Sequence, residues 1–162
     1  MDFSTITDEN ERKVAEFLDK IGFSFIESRS IFNKSEAEIA REIDLLFTFQ
    51  NCLFIIEVST VKSGHNFKII TFMYRWSKQK NFERLKEKHL AVSNNVMRIF
   101  FDLSKDTPEN KSQDVEELTE DQGNMVIYRD VFEKLNSNDD IEQTIADFLG
   151  TDWFSNTEKF VE

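Results

Sequence analysis

The chain has 162 residues, a formal net charge of −11 and 40% hydrophobic residues, of which 17 are phenylalanines. This length and apolar content exclude disorder over the whole chain and predict one folded domain, residues 1–162. No apolar run approaches the roughly 20 residues that cross a bilayer, and the N-terminus MDFSTITDEN is too acidic and polar for a signal peptide. We therefore expect a cytoplasmic protein with no membrane contact.

Cysteine content agrees with that compartment. Cys52 is the single cysteine, so no disulfide forms within the chain, and its place in an apolar run predicts a buried small side chain rather than a nucleophile.

The first predicted element is an amphipathic helix. Thr7 or Asp8 is placed to cap it, its apolar residues recur on one face up to about Ile21, and Gly22 is placed to end it. A short strand, Phe23 to Ser28, follows and leads into a polar loop.

Two apolar β-type runs come next. They are Glu42 to Phe49 and Cys52 to Ser59, and the dipeptide Gln50-Asn51 between them is a plausible tight turn. These runs predict a hairpin at the antiparallel centre of a sheet.

The remaining pattern alternates helices and strands. Beyond Gly64, helical spacing runs from about Asn66 to His89 as one helix, or as two with a shift near Ser77. Further elements are strands at Val96 to Leu103 and Asn124 to Asp130, and helices in VFEKLN and IEQTIADFL, the last ended by Gly150. The order predicts an α/β fold with a mixed sheet flanked by helices on both faces. Trp153, Phe154 and Phe160 near the end either close this domain or mark it as the N-terminal module of a longer protein.

Charge is distributed unevenly along the chain. The segment from Lys62 to Leu90 holds eight basic and two acidic residues, a local charge of +6 in a chain of net charge −11. Such a segment is typical of a surface that follows a phosphate backbone, or of a solvated helix that keeps the protein soluble.

Each run of the predicted hairpin carries one acidic residue near its open end, Asp44 in the first and Glu57 in the second. Pairing of the runs brings these carboxylates together, where each raises the pKa of the other unless a cation neutralises both. A Mg²⁺ ion held by both carboxylates and by the carbonyl of Val58 is one solution. The alternative is that both acids lie at strand ends in solvent or pair with Arg29 or Arg41.

These motifs resemble the PD-(D/E)XK nuclease superfamily, in particular archaeal Holliday junction resolvases and Mrr-like restriction endonucleases. The resemblance rests on ERKVAEFLDKIGF (Glu11 to Phe23), on Asp44 in EIDLLF and on Glu57 in FIIEVS. It covers about Glu11 to Ser59 and fades after the following helix. It implies a restriction-endonuclease-like sheet and a Mg²⁺- or Mn²⁺-dependent endonuclease that acts on DNA. In that site Asp44, Glu57 and the Val58 carbonyl hold metal, and Glu11 acts through water.

The chain departs from the family pattern at Ser59, where the family has a lysine that positions the attacking water and neutralises developing charge. Either the site is degenerate or another amine has replaced it. Two lysines are candidates for this amine. Lys62 is nearest in sequence, but a continued strand would direct its side chain to the face opposite to that of Glu57, so it serves only if the chain bulges or leaves the strand. Lys68 lies at the start of the next predicted helix.

The basic segment supplies the expected DNA contacts. They are Lys68, Arg75, Lys78, Lys80, Arg84 and Lys88. Two alternatives to an active nuclease are open: a catalytically degenerate module that binds nucleic acid or a partner protein, and a domain kept for oligomerisation, for example as a homodimer.

Overall fold

The computed structural model describes residues 2–27, 44–60, 83, 86–88, 96–104 and 124–150. Within these ranges the chain forms a mixed α/β structure around a five-stranded mixed sheet flanked by helices. Its elements are, in chain order, α1 (Glu9–Lys20), β1 (Ser24–Glu27), β2 (Leu45–Phe49), β3 (Cys52–Ser59), β4 (Val96–Asp102), β5 (Asn124–Tyr128), α2 (Arg129–Ser137) and α3 (Ile141–Leu149).

Helix α1 begins and ends where the sequence predicts. The side chain of Asp8 accepts hydrogen bonds from the backbone N–H groups of Asn10 and Glu11, which have no partner within the helix. Gly22, with φ of 103°, lies in a region that a side chain makes costly, and it turns the chain into β1. The predicted cap and stop of this helix are confirmed.

The predicted hairpin is also confirmed. Strands β2 and β3 pair antiparallel with Phe49 opposite Cys52, so that Gln50 and Asn51 form a two-residue connection. Both residues have positive φ, 47° and 58°, which is the backbone that matches the twist of a tight hairpin.

The five strands follow one another across the sheet in the order β1-β2-β3-β4-β5. Strand β1 pairs antiparallel with β2, whereas β3 with β4 and β4 with β5 pair parallel. The carboxyl ends of β3, β4 and β5 therefore meet at one edge of the sheet, and β2 begins at that same edge.

One face of the sheet packs against the three helices. Phe54, Ile56 and Phe101 on this helix-covered face join a buried cluster with residues of α1, α2 and α3. The ring of Phe17 from α1 packs edge-on against Phe132 of α2, with 5.5 Å between centroids, and against Phe148 of α3, with 5.6 Å. These aromatic contacts join the three helices into a single layer.

Side chains alternate between the two faces along a strand. The residues between those of the helix-covered face therefore point to the opposite face of the sheet, here called the second face. It carries Leu46, Leu53, Ile55 and Phe100, each no more than 1% exposed. The predicted helix from Asn66 to His89 lies outside the described residues except at positions 83 and 86–88, which are helical.

Two observed element boundaries differ from the predicted ones. The strand predicted to reach Asp130 ends at Tyr128, and Arg129 and Asp130 form the first turn of α2. An acidic side chain is stabilised at a helix N-terminus, which favours the earlier start of α2. Strand β2 begins at Leu45, one residue after Asp44.

Burial tests one further sequence prediction. Cys52 is buried, at 1% exposure, as predicted. Across the ranges that the structure describes, no helix has the length and apolar character needed to cross a membrane. The polar loop before β2, the acidic segment before β5 and the terminal aromatic residues lie outside those ranges.

Candidate functional site

Asp44 and Glu57 meet at the open end of the hairpin and exchange hydrogen bonds through the backbone. The Asp44 N–H donates to Oε1 of Glu57 at 3.0 Å, and the Val58 N–H donates to Oδ2 of Asp44 at 2.9 Å. The sequence-based expectation that these two acids converge from neighbouring segments is therefore confirmed.

These bonds replace the regular ladder at the point where it stops. The last paired residues of β2 and β3 are Leu45 and Ile56, whereas β3 continues to Ser59 and pairs there only with β4 among the described strands. At this position the Asp44 carboxylate takes the place of the backbone acceptor that β2 would supply to the Val58 N–H, and the Glu57 carboxylate accepts the Asp44 N–H. The two side chains therefore cap the ladder where the strands separate.

The same pattern gives the direction of the Val58 carbonyl. The Ser59 carbonyl accepts the Leu103 N–H at 2.8 Å and so points towards β4. Backbone groups of successive strand residues point to opposite edges, and both groups of one residue point to the same edge. The Val58 carbonyl therefore lies on the side of Asp44, as its use as a ligand beside that carboxylate requires.

Burial distinguishes the two acids. Glu57 is 2% exposed, so the alternative that both acids lie in solvent is wrong for this residue, while Asp44 is half-buried. A buried carboxylate is costly unless it accepts hydrogen bonds, and the Asp44 N–H offsets part of this cost. Arg29 and Arg41, the alternative partners, lie outside the described residues.

Ser59, at the position where the PD-(D/E)XK resemblance implies a lysine, lies beside an acidic residue that sequence reasoning missed. In the parallel pairing of β3 with β4, Ser59 is opposite Asp102, and Glu57 is opposite Phe100. All four side chains belong to the second face. Asp102 is 1% exposed. An aspartate that ends the apolar run VMRIFFD was the available signal, and we read it only as part of a strand.

Glu11 projects from α1 and is buried, at 4% exposure. Helix α1 packs on the helix-covered face, whereas strand parity directs Glu57 to the second face. The role of Glu11 through water stays a prediction.

Two cationic side chains among the described residues are buried. Arg98, which sequence reasoning missed, is 7% exposed and lies opposite Ile55 on the second face. Lys86 is 9% exposed, and its Nζ lies 2.9 Å from Oε1 of Glu83. Because it is buried and paired, Lys86 does not belong to an exposed basic surface.

Of the predicted DNA contacts, Lys88 is helical and exposed. The others, Lys68, Arg75, Lys78, Lys80 and Arg84, lie outside the described residues, as does Lys62.

A separate cavity of about 190 Å³ lies between α1 and α2 and includes Lys13, Arg129 and Leu103 in its lining. Both cations already have acidic neighbours on their own helices: Lys13 lies 3.7 Å from Glu9, and Arg129 lies 3.0 Å from Glu133. None of the predicted site residues lines this cavity.

The acidic residues of the described ranges meet only part of what a protein-made metal cage requires. Those ranges contain no group of three or more His, Cys, Asp or Glu side chains arranged to hold a metal ion. Mg²⁺ is commonly bound through one or two carboxylates while it keeps several waters, and Asp44 with Glu57 meets that smaller requirement. The described residues therefore form no protein cage for the ion, and a hydrated site held by these two carboxylates stays a proposal.

Comparison of the chain with protein-family models, with curated proteins and with solved structures finds no match.

Proposed function

We propose that this protein is a divalent-metal-dependent phosphodiester hydrolase that acts on DNA and has a restriction-endonuclease-like fold. The observation that carries the proposal is the joining of Asp44 and Glu57 at the open end of the hairpin, with distances of 2.9 and 3.0 Å to backbone N–H groups across the strand pair. Two acids from adjacent strands at one sheet edge are the core of the site that the sequence resemblance implies.

The sheet supports the proposal in a second way. A central antiparallel hairpin, β2 and β3, is followed by β4, a parallel partner that pairs with β3 as far as Ser59. Glu57 lies opposite Phe100 of β4, and its side chain accepts the Asp44 N–H. A group held in this way keeps its position with little rotamer freedom, as a catalytic carboxylate requires.

In the proposed site Asp44, Glu57 and the Val58 carbonyl hold Mg²⁺ or Mn²⁺. When bound, such an ion lowers the pKa of a water and stabilises charge on a phosphate oxygen. The Val58 N–H holds the Asp44 carboxylate, and the Asp44 N–H holds the Glu57 carboxylate, so each acid orients the other through the backbone.

The site needs a positive group where the family has its lysine, because Ser59 carries no charge. Lys62 or Lys68 supplies this amine in our proposal. The basic segment, including the exposed Lys88, holds the DNA backbone through charge and without reading base sequence.

A second candidate function is favoured by a specific observation. Asp44 and Glu57 both already accept backbone N–H groups, so the hairpin end is satisfied as a purely structural feature. Together with Ser59 in the lysine position, this supports a degenerate nuclease fold that binds nucleic acid or a partner protein without cleaving.

One experiment separates the two functions. The full chain is titrated with Mn²⁺ and Mg²⁺ by calorimetry and incubated with linear and branched DNA in the presence of each ion. Asp44→Asn removes the charge but keeps an oxygen for the Val58 N–H, and Asp139→Asn removes the charge of an exposed aspartate as the control.

A hydrolase binds metal and cleaves DNA, and both properties are lost in Asp44→Asn but not in Asp139→Asn. DNA binding that is indifferent to metal, with no cleavage, would instead support the second candidate.

A further inference from the structure

Asp102 is the last residue of β4 and is almost completely buried, at 1% exposure. Its Oδ1 accepts the Ser104 N–H at 3.2 Å, which holds the carboxylate against the turn that follows the strand. Its Oδ2 is buried and has no hydrogen-bond partner among the residues that the structure describes. One oxygen of this side chain is therefore committed to the backbone and the other is not.

A buried carboxylate oxygen without a partner is unusual. Removal of such a group from water without a hydrogen bond is costly, and native proteins leave few buried polar atoms in this state. A common explanation for such an atom is a water or an ion that belongs to the site.

The position of Asp102 indicates which site this is. Strands β3 and β4 are parallel, and Asp102 is opposite Ser59, two residues beyond Glu57. Adjacent strands lie about 4.8 Å apart, and residues paired in this way share a face. Asp102 therefore lies at the same sheet edge and on the same face as Glu57, beside the position where the family has its lysine.

We propose that Asp102 is the third acidic residue of the cation site and that its Oδ2 accepts a hydrogen bond from a water carried by the ion. This inference rests on the proposed function. Asp102 acts as a positioning residue and not as a ligand, because the described residues contain no group of three acids arranged to hold a metal.

The chemistry of the ion fits this role. Mg²⁺ and Mn²⁺ sites with two protein carboxylates retain several waters, and these waters need acceptors. Carboxylates outside the ligand set orient such waters, and their loss commonly weakens metal binding by about 10- to 100-fold. Asp102 places one buried acceptor at the sheet edge where Asp44 and Glu57 meet. Ser59, opposite Asp102, has a short uncharged side chain, so no lysine at that position pairs with the acceptor.

The test measures Mn²⁺ binding to the full chain by calorimetry, together with the melting temperature with and without Mn²⁺. Asp102→Asn keeps the shape of the side chain and an acceptor for the Ser104 N–H but removes the charge. Asp102→Leu is a second variant without any polar group, and Asp139→Asn is the exposed control.

We expect Asp102→Asn to weaken Mn²⁺ binding by about tenfold or more, in the range seen for residues around metal ligands. Without metal its melting temperature should equal or exceed that of the wild type, because a buried unpaired charge has been removed. Asp102→Leu should show the same loss of Mn²⁺-induced stabilisation, and Asp139→Asn should bind as the wild type does.

Two results would overturn the inference, and they differ in what else they affect. If Asp44→Asn abolishes Mn²⁺ binding but both Asp102 variants bind as the wild type does, Asp102 is structural and the proposed function stands. If the wild type itself binds no Mn²⁺, this inference and the proposed function fail together.

Discussion

The Asp44 N–H donates to the Glu57 carboxylate at 3.0 Å, and the carboxylate of Asp44 in turn accepts the N–H of Val58, the residue after Glu57, at 2.9 Å. Each acid is thus held by the strand that carries the other. This reciprocity makes the pair a single structural unit, and its consequences can be measured both in stability and in activity.

Glu57→Ala should lower the free energy of unfolding by about 1–3 kcal/mol, because the Asp44 N–H loses its buried acceptor. Glu57→Gln retains an acceptor and should cost less. Urea denaturation of the two variants measures the difference. Equal stability of Glu57→Ala and the wild type would show that this hydrogen bond is not formed in solution.

On the proposed function, Asp44→Asn and Glu57→Gln should each reduce Mn²⁺-dependent DNA cleavage by about 100-fold or more, and the double variant should be little worse than either single one. Residues that act as a unit are strongly non-additive in this way. A cleavage assay at saturating Mn²⁺ on all four proteins gives the coupling. Losses that simply multiply would show that the two acids act independently.

On the proposed function, Lys62→Ala and Lys68→Ala test which amine takes the place of the lysine that the PD-(D/E)XK resemblance implies at Ser59. One of them should lower cleavage by about 100-fold or more, as expected for a group that assists proton transfer or neutralises developing charge, and the other should not. Ser59→Ala should leave cleavage near the wild-type rate. Full cleavage by both lysine variants would contradict a relocated amine.

The hairpin turn offers a test that is independent of function. Asn51 has φ of 58°, which glycine adopts without strain and a β-branched residue does not. Asn51→Gly should preserve stability or raise it by a few tenths of a kcal/mol, and Asn51→Val should lower it by about 1–2 kcal/mol. Thermal denaturation of both variants measures this order, and the reverse order would contradict the turn.

Phe17 joins the three helices through edge-on contacts with Phe132 and Phe148 and is 1% exposed. Phe17→Ala should lower the free energy of unfolding by about 3–5 kcal/mol through lost burial and the cavity left behind. Val131→Ala, at a position that is 42% exposed, should change it by less than about 0.5 kcal/mol. Denaturant titration compares the two, and similar effects would contradict the described packing.

Local sequence patterns determined most of the elements. The cap at Asp8, the stop at Gly22, the two-residue turn and strand β3 were all readable, because each depends on neighbouring residues and on the periods of helix and strand. The proximity of Asp44 and Glu57 was predictable for a related reason. A two-residue hairpin turn fixes which residues of β2 and β3 lie opposite each other.

Contacts between distant segments were decided only by the tertiary structure. Nothing local indicates that β4 pairs parallel with β3 or that this pairing sets Asp102 opposite Ser59, because the two residues lie 43 positions apart and a parallel register depends on the whole crossover. The burial of Asp102, Arg98 and Lys86 has the same origin, because a charged residue becomes buried only when other elements cover it. The sequence alone thus determined the elements and the hairpin with its two acids, and the packing of the sheet decided which further charges stand beside them.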